Sequence, residues 1–130
     1  MTTATGSEVP TILVVDDEPD MRDLSRMLLE IDGLHVVEAA DGAEALDEFF
    51  RLDPPPSPAV VVLDSRMPGM TGLEVAASML EHNPEQMIVV FSAHLDRNLE
   101  AAAKELGVAQ CISKIDARRL PSVVRELLAR

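Results

Sequence analysis

Short apolar runs rich in β-branched residues alternate five times with segments of helical period along this chain of 130 residues. Thr11 to Val15 reads as the first strand, Val36-Val37 as a short second and Val60 to Leu63 as the third. Met87 to Phe91 and Ala109 to Ser113 complete the set. Between them, Met21, Leu24, Leu28 and Ile31 follow helical spacing, with Pro19 suited to a first turn and Gly33 to a stop. Asp41 and Glu44 have the spacing of an N-cap, and Leu46, Phe49 and Phe50 are expected to form the buried stripe behind them. Thr71 and Glu74 make a capping box, with Leu73, Ala76, Ala77 and Leu80 as the expected inner face. A weaker, alanine-rich helix runs from Asp96 to Leu106 and closes at Gly107, and Leu120, Val123, Val124, Leu127 and Leu128 give the last helix a clear stripe. A strand–helix order repeated five times predicts an α/β fold, a (βα)5 doubly wound sheet of parallel strands with helices on both faces.

That topology gathers the strand ends. Asp16 and Asp17 follow the first strand, Asp64 the third, Ser92 the fourth and Lys114 the fifth. In a parallel sheet these ends share one edge, the carboxyl edge where open α/β sheets place their sites. Carboxylates a few Å apart cannot all stay ionised unless a cation joins them, so Asp16, Asp17 and Asp64 predict a small pocket for a hard divalent ion. The turn Met67-Pro68-Gly69 is expected to hold Asp64 exposed. No Gly-x-Gly-x-x-Gly or Gly-x4-Gly-Lys-Ser/Thr occurs, so a phosphate would have to be met by metal and lysine rather than by a backbone cradle. A lone carboxylate can be the nucleophile towards phosphorus, Lys114 a mobile point charge, and the Ser92 hydroxyl a donor to a phosphoryl oxygen.

Composition narrows the alternatives. With no Trp or Tyr and three Phe, the core must be aliphatic. A formal charge of −12 repels phosphate backbones and anionic membranes, which argues against direct nucleic-acid or membrane binding. The single cysteine, Cys111, excludes an internal disulfide and reads as a small core hydrophobe. No run approaches a membrane span, and the polar start of the chain lacks a signal peptide's apolar core, so a cytoplasmic setting is expected. Residues 1–9 read as a flexible N-terminal segment ahead of one domain at 10–130, and Asp53 to Pro58 as a stiff proline loop.

These motifs together resemble the receiver domain of two-component response regulators. Leu13-Val14-Val15-Asp16-Asp17-Glu18 is similar to the family's acidic opening. The stretch from Leu63 through Asp64, Met67-Pro68-Gly69 and Thr71-Gly72 to Glu74 is similar to its phosphoacceptor strand and turn. Phe91-Ser92-Ala93 and Ser113-Lys114 match its hydroxyl and lysine positions. The resemblance implies a flavodoxin-like fold with strand order 2-1-3-4-5. It implies that Asp64 accepts phosphate from a histidine kinase or phosphotransfer protein, assisted by Lys114 and Ser92. It also implies Mg2+ held by Asp17, Asp64 and the Arg66 backbone carbonyl, with Asp16 contributing through water. Such a domain is a signalling module rather than an enzyme, beyond catalysing its own phosphotransfer and dephosphorylation. Its partners would be a downstream protein target or an effector domain that this stretch lacks, and a homodimer through the helix 4–strand 5–helix 5 face.

Four positions carry particular interest. Cys111 stands where the family has an aromatic switch, and Ile115 where it has a proline. A cis bond before a non-proline residue costs about 2.5–4 kcal/mol, so the loop that aims Lys114 is expected to differ. Arg66 and His94 occupy the two variable positions beside the phosphoryl site, while His35 and His82 carry no pattern. Because cysteine has little bulk to swing, phosphate is expected to act through Ser92, the loop Ala93-His94-Leu95 and the fourth helix. Two other classes fit less well. An aspartyl phosphatase would carry Asp-x-Asp on its first strand, and a receiver-like interaction module that no longer takes phosphate would not need the complete acidic set.

Overall fold

The computed structural model describes residues 9–52 and 57–130. Most of the expected N-terminal segment (1–8) and of the proline loop (53–56) lies outside the described residues. Strands β1 (Thr11–Val15), β2 (His35–Ala39), β3 (Val60–Leu63), β4 (Met87–Ser92) and β5 (Gln110–Ser113) form one parallel sheet in the order β2-β1-β3-β4-β5. Helices α1 (Pro19–Ile31), α2 (Gly42–Arg51), α3 (Gly72–His82), α4 (Arg97–Leu106) and α5 (Leu120–Leu128) connect and close them. A 3-10 helix, Lys114–Arg119, precedes α5.

Alternation along the strands divides the core. Leu13, Val15, Val61, Leu63, Ile88 and Val90 face α2, α3 and α4, whereas Ile12, Val14, Val60, Val62, Val89, Phe91 and Ile112 face α1 and α5. Both faces of β1, β3 and β4 are buried, which is why their sequences are apolar runs without alternation. Strand β2, at the edge, is only half-buried and carries Glu38, whose carboxylate pairs with Arg22 and Arg26 of α1. It is also longer than its Val36-Val37 centre suggested.

Three helix faces differ from expectation. On α3, Val75, Ala76, Met79 and Leu80 are buried and Ala77 is exposed. On α2, Ala45 and Phe49 are buried, while Phe50 is 46% exposed and rests edge-on against Phe49. On α1, Ser25 and Leu29 are buried and Ile31 is exposed. Each of these helices has apolar residues on more than one side, so spacing alone does not choose the phase.

The caps at Asp41 and Thr71 match expectation, and Asp96, expected as the first helical residue, is the N-cap of α4. Asp41, Thr71 and Asp96 accept from the backbone N–H three residues on, and Thr71 with Glu74 forms a full capping box. Gly107 ends α4 at φ 105°, a left-handed conformation open to glycine. Helix α4 buries a single residue, Ala103, so it is anchored far less than its neighbours, whose buried Leu, Val and Phe side chains each contribute about 1.5–3 kcal/mol.

Candidate functional site

The carboxyl edge of the sheet carries the site. The ladder runs one residue past each strand: the Asp16 N–H donates to Ala39 O at 3.1 Å, and the Asp64 N–H to Val15 O at 3.0 Å. Both aspartates therefore leave the sheet from fixed backbone. Among the described residues, Asp16, Asp17 and Asp64 offer ligand oxygens all within 4.8 Å of one another. Asp17 is exposed, while Asp16 and Asp64 are buried. At 6% exposure, Asp64 is not held out in solvent as its turn suggested. Met67 packs into the core instead of lifting the loop, and the lysine that follows β5 lies against the carboxylate.

Lys114 follows β5, and its side chain is 7% exposed. Its ammonium lies 2.8 Å from Asp16 Oδ2, 3.3 Å from Asp64 Oδ2 and 3.5 Å from Glu18 Oε1. The loop that aims it uses no proline. Ser113 Oγ accepts from the Ile115 N–H, Asp116 leaves helical geometry, and Ile115 itself is 91% exposed.

Burial, then the charge of Asp16, push the Asp64 carboxyl up to about 6, against the opposing pull of Lys114 and the Arg66 N–H. Burial alone would lower the pKa of Lys114, but its hydrogen bond to Asp16 and the charges of Asp16 and Asp64 hold it above its ordinary value. One ammonium thus faces three carboxylates. The excess negative charge, made entirely of hard oxygen donors, fits a divalent cation such as Mg2+.

Other expected residues fall at different distances from this centre. Arg66 is exposed and donates its N–H to Asp64 Oδ1 at 3.4 Å. Ser92 is fully buried, and its hydroxyl is engaged by Ser65 Oγ at 2.6 Å and by the His94 N–H at 3.0 Å. The His94 side chain is exposed. Cys111 is half-buried against the α2–α3–α4 core, with its thiol pushed up by burial and by Glu100. His82, which carried no pattern in the sequence, packs edge-on against Phe49 and Phe50 with ring centres 5.8 and 5.0 Å away.

Three residues have supporting roles that the sequence reading did not assign. Arg22 donates to the Asp16 carbonyl at 2.7 Å while paired with Glu38, and so braces the loop after β1. Gly72 packs so closely that a Cβ there would lie 2.1 Å from Asp64 O, and its N–H donates to Ser65 O. Ser65 meets Ser92 because β3 and β4 pair Leu63 with Val90, and two more residues on each chain bring the serines level. The register of the folded sheet, which the apolar runs alone do not give, is what reveals the pair.

A family model described as response regulator receiver domain matches residues 12–125. The chain is 35% identical over 121 residues to the transcriptional activator protein ExaE of Pseudomonas putida, covering 92% of this chain and 53% of that protein. It is 41% identical over 93 residues to the positive alginate biosynthesis regulatory protein of Pseudomonas aeruginosa, covering 69% and 36%. The chain therefore spans about half or less of the length of these curated relatives. Among solved structures, it is similar to the response regulator TrrA of Thermotoga maritima in complex with Mg2+–BeF, at 30% identity and TM-score 0.81, covering 92% of this chain and 99% of that one. A response regulator receiver domain from Clostridium thermocellum aligns with TM-score 0.85 and 27% identity over 94% and 96% of the two chains.

Proposed function

The chain belongs to the response regulator receiver domain family, and from that premise we propose that Asp64 accepts a phosphoryl group from the phosphohistidine of a histidine kinase or phosphotransfer protein. The observation that carries this reading is the buried Lys114 ammonium, shared between Asp16 and Asp64 beside the exposed Asp17. A Mg2+ held by Asp17, Asp64 and the Arg66 carbonyl, with Asp16 contributing through water, would supply the charge that lets a carboxylate approach phosphoryl oxygens.

The chain's own groups divide the remaining work. A carboxylate oxygen of Asp64 attacks phosphorus, the P–N bond breaks, and the imidazole leaves with the bonding pair and takes up a proton from solvent. Lys114 stays protonated through the step, and its hydrogen bond passes from Asp64 to a phosphoryl oxygen. Asp16 keeps its 2.8 Å pair with that ammonium, so the lysine remains aimed while one partner changes. The Ser92 hydroxyl then turns towards the new phosphoryl group.

The signal leaves through the loop 93–95 and α4, the helix with the least buried anchorage. With a formal charge of −12, this domain acts on a protein target or an effector domain, not on nucleic acid directly. The setting is cytoplasmic and reducing, in keeping with the free Cys111; among the described residues no helix is long and apolar enough to cross a membrane.

Incubation with acetyl phosphate or phosphoramidate and Mg2+ should raise the intact mass by one phosphoryl group. Asp17→Asn should remove that gain and weaken Mg2+ binding in calorimetry, because it deletes the exposed metal ligand. An unchanged mass with every donor would overturn the reading and favour a non-phosphorylated interaction module.

A further inference from the structure

Ser65 stands next to the phosphoacceptor, yet its side chain turns to the neighbouring strand. Its Oγ lies 2.6 Å from Ser92 Oγ, with Ser65 8% exposed and Ser92 fully buried. The two ends of this contact differ in freedom. Ser65 is pinned: its carbonyl accepts from the Gly72 N–H at 3.0 Å, and a Cβ on Gly72 would come within 2.9 Å of Ser65 Cα. Ser92 leads directly into exposed Ala93 and His94 and then into the weakly anchored α4. A hydroxyl has one proton to donate. Either hydroxyl can donate in this pair, and where Ser92 donates to Ser65 its one proton has to leave the shared contact before it can serve a group on Asp64, while its oxygen still accepts the His94 N–H.

We propose that Ser65 is a positioning residue that latches the Ser92 hydroxyl in the resting domain and thereby sets how readily the phosphorylated state is reached. The proposal rests on the reading of Asp64 as phosphoacceptor. Loading Asp64 makes Ser92 exchange its serine partner for a phosphoryl oxygen, and the bond lost to Ser65 opposes that exchange. The buried pair needs no aromatic lever, which suits a domain with Cys111 on β5. Removing the Ser65 hydroxyl also leaves a buried Ser92 hydroxyl short of a partner in the resting state, which biases the domain in the same direction.

The test is a titration with beryllofluoride and Mg2+, followed by amide NMR shifts, on the wild type, Ser65→Ala, Ser92→Ala and the double variant. Loss of one neutral hydrogen bond predicts about 2- to 10-fold tighter beryllofluoride binding by Ser65→Ala than by wild type. In the Ser92→Ala background the same substitution should have no effect, since the latch then has nothing to hold. Equal or weaker binding by Ser65→Ala overturns the latch, as does a gain that persists without the Ser92 hydroxyl. A wild type that binds no beryllofluoride at all would instead sink the phosphoacceptor reading, and the latch with it.

Discussion

Replacing Asp64 with asparagine should stabilise the metal-free domain at neutral pH, although it removes the proposed phosphoacceptor. The folded protein raises the Asp64 carboxyl from 3.8 to about 6, chiefly by burial and secondly through Asp16. The attraction of Lys114 and the Arg66 N–H is already included in that net rise. Between those two pH values the folded state binds more protons than the unfolded chain, so stability falls as pH rises. The stabilisation is complete below about 3.8 and lost as pH passes through about 6. At 1.36 kcal/mol per tenfold step, the full gap corresponds to roughly 3 kcal/mol at pH 7.5. Asparagine keeps a similar shape without the charge. In chelator at pH 7.5, Asp64→Asn should therefore unfold about 10 °C higher than wild type when followed by circular dichroism. Near pH 3.5 the two should coincide, and Mg2+ at pH 7.5 should narrow the gap by stabilising the wild type more than the variant. A variant no more stable than wild type at pH 7.5, or one equally more stable at both pH values, would refute the claim that a strained buried charge sits at Asp64.

Two further outcomes follow from the packing around the site. Gly72→Ala places a methyl against the Asp64 carbonyl, and should lower stability by about 1–3 kcal/mol in urea denaturation and slow phosphorylation as well. If the signal leaves through α4, phosphorylation should change amide exchange most between Ala93 and Leu106, and the change should survive Cys111→Ala; a pattern centred on β5 would contradict that route.

Much of this arrangement is legible in the amino-acid sequence. Five apolar runs with intervening helical periods specify a parallel sheet, and residues directly after such runs must share an edge; Asp16, Asp17, Asp64 and Lys114 therefore meet as expected. Two kinds of feature are hidden. Helix phase is hidden wherever apolar residues surround the helix, as in α3, where the packing partner decides that Met79 goes in and Ala77 out. Contacts between residues distant in sequence are hidden because they depend on register: Ser65 meets Ser92 only once Leu63 is known to pair with Val90. The burial of Asp64 belongs to the same class, since Lys114, just after β5, lies 3.3 Å from its carboxylate.

Covalent mapping of the acceptor tests the central claim most directly. After treatment with phosphoramidate and Mg2+, borohydride reduction converts an aspartyl phosphate to homoserine, which peptide mass spectrometry locates. Homoserine at position 64, and its absence when Mg2+ is omitted, is the predicted result. Homoserine at position 16 or 17, or phosphate on a residue other than an aspartate, would contradict the account.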